Sequence, residues 1–343
     1  MSTIARVAES CFWMCRYMER VESTARILGV NRSLVMTAPL APQNRWRPML
    51  IVVGEEPSFV DEHGQEAADN GELVQRHLTW QRACPVSIAT SLYWARENAR
   101  TIRETISQEI WRSLNGTWLW LQGDEAKALF ENQRHAFYAE VFDRCQHFQG
   151  VLHGTMLRQQ PYDFMRLGLY LERAGQTARL LDVHQHQRLG AAGQGGQQGM
   201  GGVDSGEDPI FWSAVLRSCS GYDMFLKTSR RPRLCGPDVF RFLVARRDFP
   251  RASLYCLVRA RSLLQGLQPP QRPQIGQQSR ALSRTLVDGV EAMDTAEALS
   301  NAHRHLTWIV DQTAGLCNTI GQEYFHLREL PSAQTQTTTE HPA

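Results

Sequence analysis

The chain has 343 residues, a formal net charge of +2, and 42% hydrophobic and 21% charged residues. This is the composition of a globular protein with a substantial core, and it argues against collagen-like, wholly disordered and membrane-spanning chains. No apolar run approaches the roughly 18 residues needed to cross a bilayer, and the basic residues do not cluster as phosphate binding requires. The sequence therefore predicts neither a nucleic-acid nor a membrane partner.

The first residues do not form a signal peptide, because Glu9, Arg16 and Glu19 interrupt what would have to be its apolar core. We therefore predict a cytoplasmic protein whose eight cysteines are free thiols. Cys11 and Cys15 lie one helical turn apart, but no second pair has the spacing of zinc ligands. No metal site is predicted.

Apolar residues that recur at spacings of three and four predict helices along most of the chain. In chain order these helices span Ile4–Asn31, Ser87–Asn115, Asp124–Gly150, Tyr162–His186, Phe211–Ser229, Ser253–Leu267 and Gln278–Leu327. The Asn115-Gly116 pair is expected to end the second helix, and a break is expected in the last one near Gly289 or Ser300. The fold class is predicted to be all-α.

The remaining segments are predicted to be irregular. Pro39–Glu72 is rich in proline and contains Met49–Val53, the one short strand-like run. Gly190–Asp208 is rich in Gly and Gln and is predicted to be a disordered loop, like the polar tail Pro331–Ala343. Pro269–Pro273 marks a turn.

A stretch of fourteen residues occurs twice in the chain. Tyr17–Val30 aligns with Tyr170–Val183 at a shift of 153 residues, and eight of the fourteen positions are identical. The apolar stripe is also retained, so Met18 and Leu171 are predicted to be buried equivalents. We therefore predict one domain over residues 1–330, a pseudo-symmetric helical bundle of two related halves at about 1–150 and 155–330.

The repeat also retains polar residues, which are expensive to bury and easily varied on a surface. The retained pairs are Glu19 with Glu172, Arg20 with Arg173, Thr24 with Thr177, and Arg26 with Arg179. If the two repeat helices pack together, Glu19 is expected to reach Arg179 or Arg173. By the same symmetry Glu172 is expected to reach Arg26 or Arg20.

This polar centre is also the predicted ligand site, with Arg16, Tyr17 and Glu22 beside the repeated residues. Glu19 and Glu172 are the candidate catalytic groups, because a desolvated carboxylate can act as a general base while arginine orients a carboxylate or phosphate. The alternative is a paired ion network with a structural role.

Three further candidate binding residues follow on the second predicted helix, where basic residues form a stripe: Arg96, Asn98 and Arg100. Such a stripe can clamp carboxylates or phosphates. The alternative is that its arginines pair with Glu97, Glu104 and solvent.

Other catalytic patterns are absent from the sequence. There is no Gly-rich phosphate loop and no Gly-x-Ser-x-Gly elbow, so no cofactor is predicted. Glu323–His326 supplies a Glu-x-x-His pair, whereas a di-iron bundle needs two. No local signature supports a Cys–His nucleophile pair, although eleven histidines leave many combinations.

Six short motifs along the chain are specific when taken together: Ala5–Arg20, Ala95–Arg100, Ile106–Trp111, Leu167–Ala174, Trp212–Tyr222 and Phe249–Ser253. On these motifs the chain resembles the alpha-E family of bacterial helical domains over nearly its whole length. It departs from the family at Gly175, where an acid is expected, and at Cys84–Val86, where a more polar turn is expected. Because Gly175 aligns with Glu22 in the repeat, Glu22 has no acidic counterpart in the second copy.

The resemblance implies work within a peptide- or amide-modifying system, because family members tend to be encoded beside, or fused to, ATP-grasp-like and transglutaminase-like proteins. No ATP-grasp sequence is present here, so both kinds of partner would act in trans. The favoured function is a partner-dependent helical subunit. The alternative is an enzyme that acts on peptide or amide bonds through the duplicated Glu/Arg site. A subunit should bury these charges in pairs, whereas an enzyme should place them around an open pocket.

Overall fold

The computed structural model describes residues 3–38, 40–193, 208–228, 234–267, 274–293 and 301–326, and within these ranges it contains helices and no strand. The helices are α1 Thr3–Thr37, α2 Arg47–Val53, α3 Glu56–His63, α4 Gly71–Trp80, α5 Ile88–Thr101, α6 Gln108–Gln122, α7 Asp124–Asn132, α8 Arg134–Thr155, α9 Gln160–Gly193, α10 Asp208–Ser218, α11 Tyr222–Thr228, α12 Gly236–Val244, α13 Ser253–Gly266, α14 Gln277–Glu291 and α15 Ala302–Ile320. Short 3-10 turns at Pro42–Asn44 and Gln65–Asp69 and a π turn at Gly321–Phe325 complete them. The all-α prediction is confirmed.

The two helices that carry the repeat, α1 and α9, pack against each other at the centre of the molecule. Met18 and Leu171 are 2% and 1% exposed, so both predicted core positions are confirmed. The helices come very close at Gly168, where an added Cβ would lie 2.2 Å from the backbone oxygen of Phe12. A glycine at this position is therefore what lets the two backbones come together.

The remaining long helices form a group on each central helix. On one side α1 packs on α5 and α8, and α6 packs on both of these. On the other side α9 packs on α13 and α15, and α14 packs on both. Among the described residues no helix combines the length and apolarity needed to cross a membrane.

The predicted helix Ser87–Asn115 is wrong in its extent. Helix α5 ends at Thr101, and α6 begins at Gln108 after Ser107, whose hydroxyl accepts the backbone N–H of Ile110. The Asn115-Gly116 pair lies inside α6, where an added Cβ on Gly116 would meet nothing. Burial of Leu114 and its apolar neighbours on this helix outweighs the turn propensity of the pair.

The segment predicted to be irregular, Pro39–Glu72, is mostly helical over its described residues 40–72, and its strand-like run is part of α2. Pro48 lies in the first turn of that helix, and Gly54 ends it with a left-handed φ of 80°. Apolar residues on both sides of the run are buried because α2 packs against α9 and α4. When a short segment is buried on several faces, nearly all of its residues are apolar. Its sequence then lacks the alternation of apolar and polar residues that would distinguish a helix from a strand.

Other boundaries also differ from prediction. Residues 124–150 form two helices that meet at Gln133, and residues 211–229 break at Ser220, which has a φ of 50°. Helix α12 was not predicted. The last predicted helix is interrupted as expected, since α14 ends at Glu291 and α15 begins at Ala302. Helix α9 continues to Gly193, so the predicted disordered loop begins helically. Residues 194–207, the Pro269–Pro273 turn and the 331–343 tail lie outside the described residues.

Candidate functional site

The first part of the polar centre surrounds Glu172 on α9. Arg16 donates to one carboxylate oxygen from Nε at 2.9 Å and from Nη2 at 2.7 Å. Arg20 donates from Nε at 2.8 Å to the other oxygen, which also accepts the Gln176 amide at 3.2 Å. Tyr17 is half-buried beside them, with the Arg20 guanidinium 5.5 Å from its ring centre.

The second part surrounds Glu19 on α1, whose side chain has no exposed surface. Arg173 donates to Glu19 from Nε at 2.9 Å and from Nη2 at 2.7 Å, and Arg251 donates from Nη1 at 2.8 Å. Gln149 lies between the side chains, donating to Glu19 at 3.3 Å and accepting from Arg173 at 3.3 Å.

Glu22 is equally buried and extends this second part by one helical turn. It accepts from Arg26 of its own helix at 2.6 Å, and it forms short contacts with Arg251 and with the Gln149 amide. Arg26 also donates to the backbone oxygen of Ser218 at 2.5 Å, which ties α1 to α10. We refer to Arg16, Arg20, Glu19, Glu22, Arg26, Gln149, Glu172, Arg173 and Arg251 together as the Glu/Arg centre.

The predicted exchange of ion pairs between the repeat helices is present. Glu19 reaches Arg173 of the second copy, and Glu172 reaches Arg20 of the first. The other two options that the sequence left open do not occur. Arg26 pairs within its own helix, and Arg179 is exposed and takes no part in the hydrogen bonds of the centre among the described residues.

Sequence reasoning missed Arg251 and Gln149. Arg251 lies in the turn before α13, just before the helix N-cap Ala252, and Thr177 holds the turn by donating to the Arg251 carbonyl at 2.9 Å. Arg251 lies outside the fourteen-residue repeat, which ends at Val183, so the repeat could not have indicated it.

Both repeated carboxylates are held in their ionised form. Burial alone would raise the pKa of Glu19, but the charges of Arg173 and Arg251 outweigh it and lower that pKa to about 2. Burial likewise opposes ionisation of Glu172, and Arg20 and Arg16 hold its pKa well below the ordinary value. An efficient general base has a pKa near the working pH, so neither carboxylate is suited to proton abstraction at neutral pH.

The basic stripe on α5 pairs with a neighbouring glutamate, which is the alternative to ligand binding that the sequence left open. Arg96 donates to Asn115 and to Glu97, each at 2.8 Å, and Arg100 donates to Glu97 at 2.6 Å. Asn98 donates to the Trp94 carbonyl of its own helix at 2.8 Å. These residues pair locally, and none of these bonds joins them to the Glu/Arg centre.

The other sequence candidates have structural partners. Glu323 accepts the backbone N–H groups of Gln278 and Ser279 at 2.9 and 2.8 Å, so it caps α14. All eight cysteines are thiols without a disulfide, as predicted. Burial raises the pKa of Cys11 to about 12, which keeps that thiol protonated and unreactive at neutral pH.

Comparison with known proteins gives one match. A family model described as a predicted α-helical domain with a conserved ER motif matches residues 4–325. This chain contains Glu-Arg pairs at Glu19-Arg20 and Glu172-Arg173, and all four side chains lie in the Glu/Arg centre. No curated protein and no solved structure matches the chain. Because the family model covers nearly the full length of the chain, the chain belongs to the Alpha-E family.

Proposed function

We propose that this protein is a partner-dependent helical subunit of a peptide- or amide-bond-modifying system. It acts in trans with a separate ATP-grasp-like ligase, a transglutaminase-like protein, or both, and a cytoplasmic location suits its free thiols. The observation that carries the proposal is that arginines saturate the carboxylates of the Glu/Arg centre.

Because arginines already pair with every carboxylate of the Glu/Arg centre, we assign the centre a structural role. Glu19 and Glu22 have no exposed surface, so a substrate could reach them only if α1 and α9 separated. Each of their ion pairs would have to break first, and as long as Arg173 and Arg251 hold Glu19, its lowered pKa makes it a weak base. These contacts favour a subunit over an enzyme that works through the duplicated glutamates.

Apolar side chains that a partner could cover are exposed away from the centre. A groove of about 740 Å³ lies between the C-terminal part of α1 and helices α10 and α11, and its lining includes Leu34, Ile210 and Tyr222. Ile210 at its rim is 42% exposed, and Met224 and Leu226 on α11 are similarly exposed. This groove is the proposed contact surface for the partner protein, since exposed apolar surface of this kind is typical of protein interfaces.

The two halves are proposed to be duplicated copies with pseudo-symmetric packing. In support, α1 packs on α5 and α8, with α6 packed on both, and α9 packs on α13 and α15, with α14 packed on both. The chain order of the three helices is the same in each group. The N-caps Ser87 and Ala252 occupy equivalent places before α5 and α13. The exchange of Glu–Arg pairs across the α1–α9 contact has the same symmetry.

Co-expression with the ATP-grasp-like and transglutaminase-like proteins of its own gene neighbourhood tests the proposed function. The tagged chain should elute with a partner from a size-exclusion column, and its addition should raise ATP consumption by the ligase. Ile210→Asp should weaken the complex, whereas Ile51→Asp, at a residue exposed to the same extent on α2, should not. Absence of any complex, together with amide-bond chemistry by the chain alone that Glu19→Gln abolishes in the folded state, would overturn the proposal.

A further inference from the structure

A second cluster of buried reactive side chains lies away from the Glu/Arg centre, where α2, α3, α4 and α5 meet. Glu55 is the N-cap of α3, His77 lies in the last turn of α4, and Cys84 lies in the turn that leads to α5. Each residue offers one ligand atom, and these three atoms all lie within 4.8 Å of one another. All three residues are buried.

His77 is the least satisfied residue of this cluster. It is 5% exposed, and neither ring nitrogen has a hydrogen-bond partner in the part of the chain that the structure describes. Its Nε2 lies 3.8 Å from Glu55 Oε2, too far for a hydrogen bond. Buried polar atoms in folded proteins are almost always paired, so an unpaired imidazole that faces a carboxylate and a thiol requires an explanation.

A bound metal ion supplies that explanation. Ligand atoms at about 2.0–2.3 Å from a tetrahedral zinc ion lie roughly 3.3–3.8 Å from one another, and small side-chain rotations would bring this cluster to those separations. Thiolate, imidazole and carboxylate are all zinc ligands, whereas calcium and magnesium prefer oxygen alone.

The cluster also has a route to solvent. His77 borders a cavity of about 540 Å³ whose lining includes His63, Leu73 and Trp80. The ring of Phe59 packs edge-on against His77, with centroids 4.9 Å apart, and so limits its rotation. An ion that entered through this cavity would meet an imidazole already held in place.

We propose that Glu55, His77 and Cys84 bind one zinc-like divalent ion, with the fourth coordination position open towards the cavity. Binding forms bonds from the metal to Glu55 oxygen, to a ring nitrogen of His77 and to Cys84 Sγ. The Cys84 proton passes to solvent, and no group is oxidised or reduced. Three protein ligands with one open position are typical of zinc ions that bind water or substrate.

A second trio competes for the same ion. Glu62, His63 and His77 also offer ligand atoms within 4.8 Å of one another, but Glu62 and His63 are exposed. The inner trio is favoured because all three of its residues are buried and because it contains a sulfur ligand. Sulfur also provides the spectroscopic signature that distinguishes the two trios.

Titration of the metal-free full chain with Co²⁺ tests the site. Wild type should bind about one equivalent and show the near-ultraviolet thiolate-to-cobalt charge-transfer band. Cys84→Ser should abolish the band and weaken binding at least tenfold, whereas Cys235→Ser, at a thiol outside the cluster, should leave both unchanged. Wild type that binds no stoichiometric Co²⁺ would overturn the proposal.

Two further measurements distinguish the inner trio from the outer trio and cover the case in which Cys84→Ser does not fold. Binding that survives Cys84→Ser but is lost in Glu62→Gln with His63→Asn would place the ion on the outer trio and refute the inner site. If Cys84→Ser fails to fold, X-ray absorption of the Zn²⁺-loaded wild type replaces it. One sulfur at about 2.3 Å supports the site, and a shell without sulfur, or with several, overturns it.

Discussion

Replacing Glu19 by Gln removes one negative charge from the Glu/Arg centre and keeps the size of the side chain. Arg173 would then face only neutral acceptors, the Gln149 oxygen at 3.3 Å and the Pro250 carbonyl at 3.4 Å. Arg251 would keep Glu22. Removal of one partner from a buried ion pair costs about 3–5 kcal/mol. The net fall in the pKa of Glu19 from 4.5 to about 2 corresponds to a similar stabilisation of roughly 3 kcal/mol.

Urea denaturation at pH 7, followed by circular dichroism, measures this loss. The midpoint for Glu19→Gln should fall by the equivalent of about 3–5 kcal/mol at an unchanged m-value. Glu97→Gln is the matched control, since Glu97 pairs with Arg100, which is 66% exposed, and it should cost less than about 1 kcal/mol. Equal and small losses in the two variants would refute the reasoning that burial makes the centre stabilising.

The same assay tests whether the two parts of the centre act separately. Among the described residues Glu19 and Glu172 share no hydrogen-bond partner. Glu19 is bound by Arg173, Arg251 and Gln149, and Glu172 is bound by Arg16, Arg20 and Gln176. The costs of Glu19→Gln and Glu172→Gln should therefore add to within about 0.5 kcal/mol in the double variant. A coupling energy well above that value would show one connected network.

Three other predictions concern acid, the helix contact and the core. Glu19 in the unfolded chain protonates near pH 4.5 and in the folded protein only near pH 2, so its contribution is complete above about pH 5 and is lost as the pH falls towards 2. Melting temperatures from pH 7 to pH 3 should fall accordingly, and a flat profile would contradict this. Gly168→Ala places a Cβ 2.2 Å from a backbone oxygen of α1 and should destabilise, whereas Gly175→Ala meets only a methyl group at 4.0 Å and should stabilise by up to about 1 kcal/mol. Met18→Ala and Leu171→Ala should each cost about 2–5 kcal/mol in urea denaturation, and near-neutral values would contradict their burial.

The central helices were predictable because their signal is local and repeated. An apolar stripe with a period near 3.6 defines α1 and α9, and the Glu-Arg pairs beside that stripe indicate that the two helices meet. Helix boundaries were less predictable because they depend on caps and packing. The Ser107 hydroxyl starts α6, and burial of Leu114 carries that helix through Asn115-Gly116.

Contacts between distant segments left no such signal. Arg251 reaches Glu19 from a turn outside the repeat. Glu55, His77 and Cys84 come from three separate elements, so no fixed spacing joins them as it does in a zinc finger. Such sites become visible only when the tertiary packing is known.

The long reach of Arg251 has a consequence for how the chain folds during synthesis. Glu19 precedes Arg251 by 232 residues and Arg173 by 154 residues. A nascent chain therefore presents two glutamates on the inner face of α1 long before most of their counter-charges exist. The N-terminal half cannot bury that face stably on its own, so we expect it to stay loosely collapsed on the ribosome until α9 and the turn before α13 have emerged. Folding is then expected to be a late, whole-chain event, during which apolar surface stays exposed and favours aggregation.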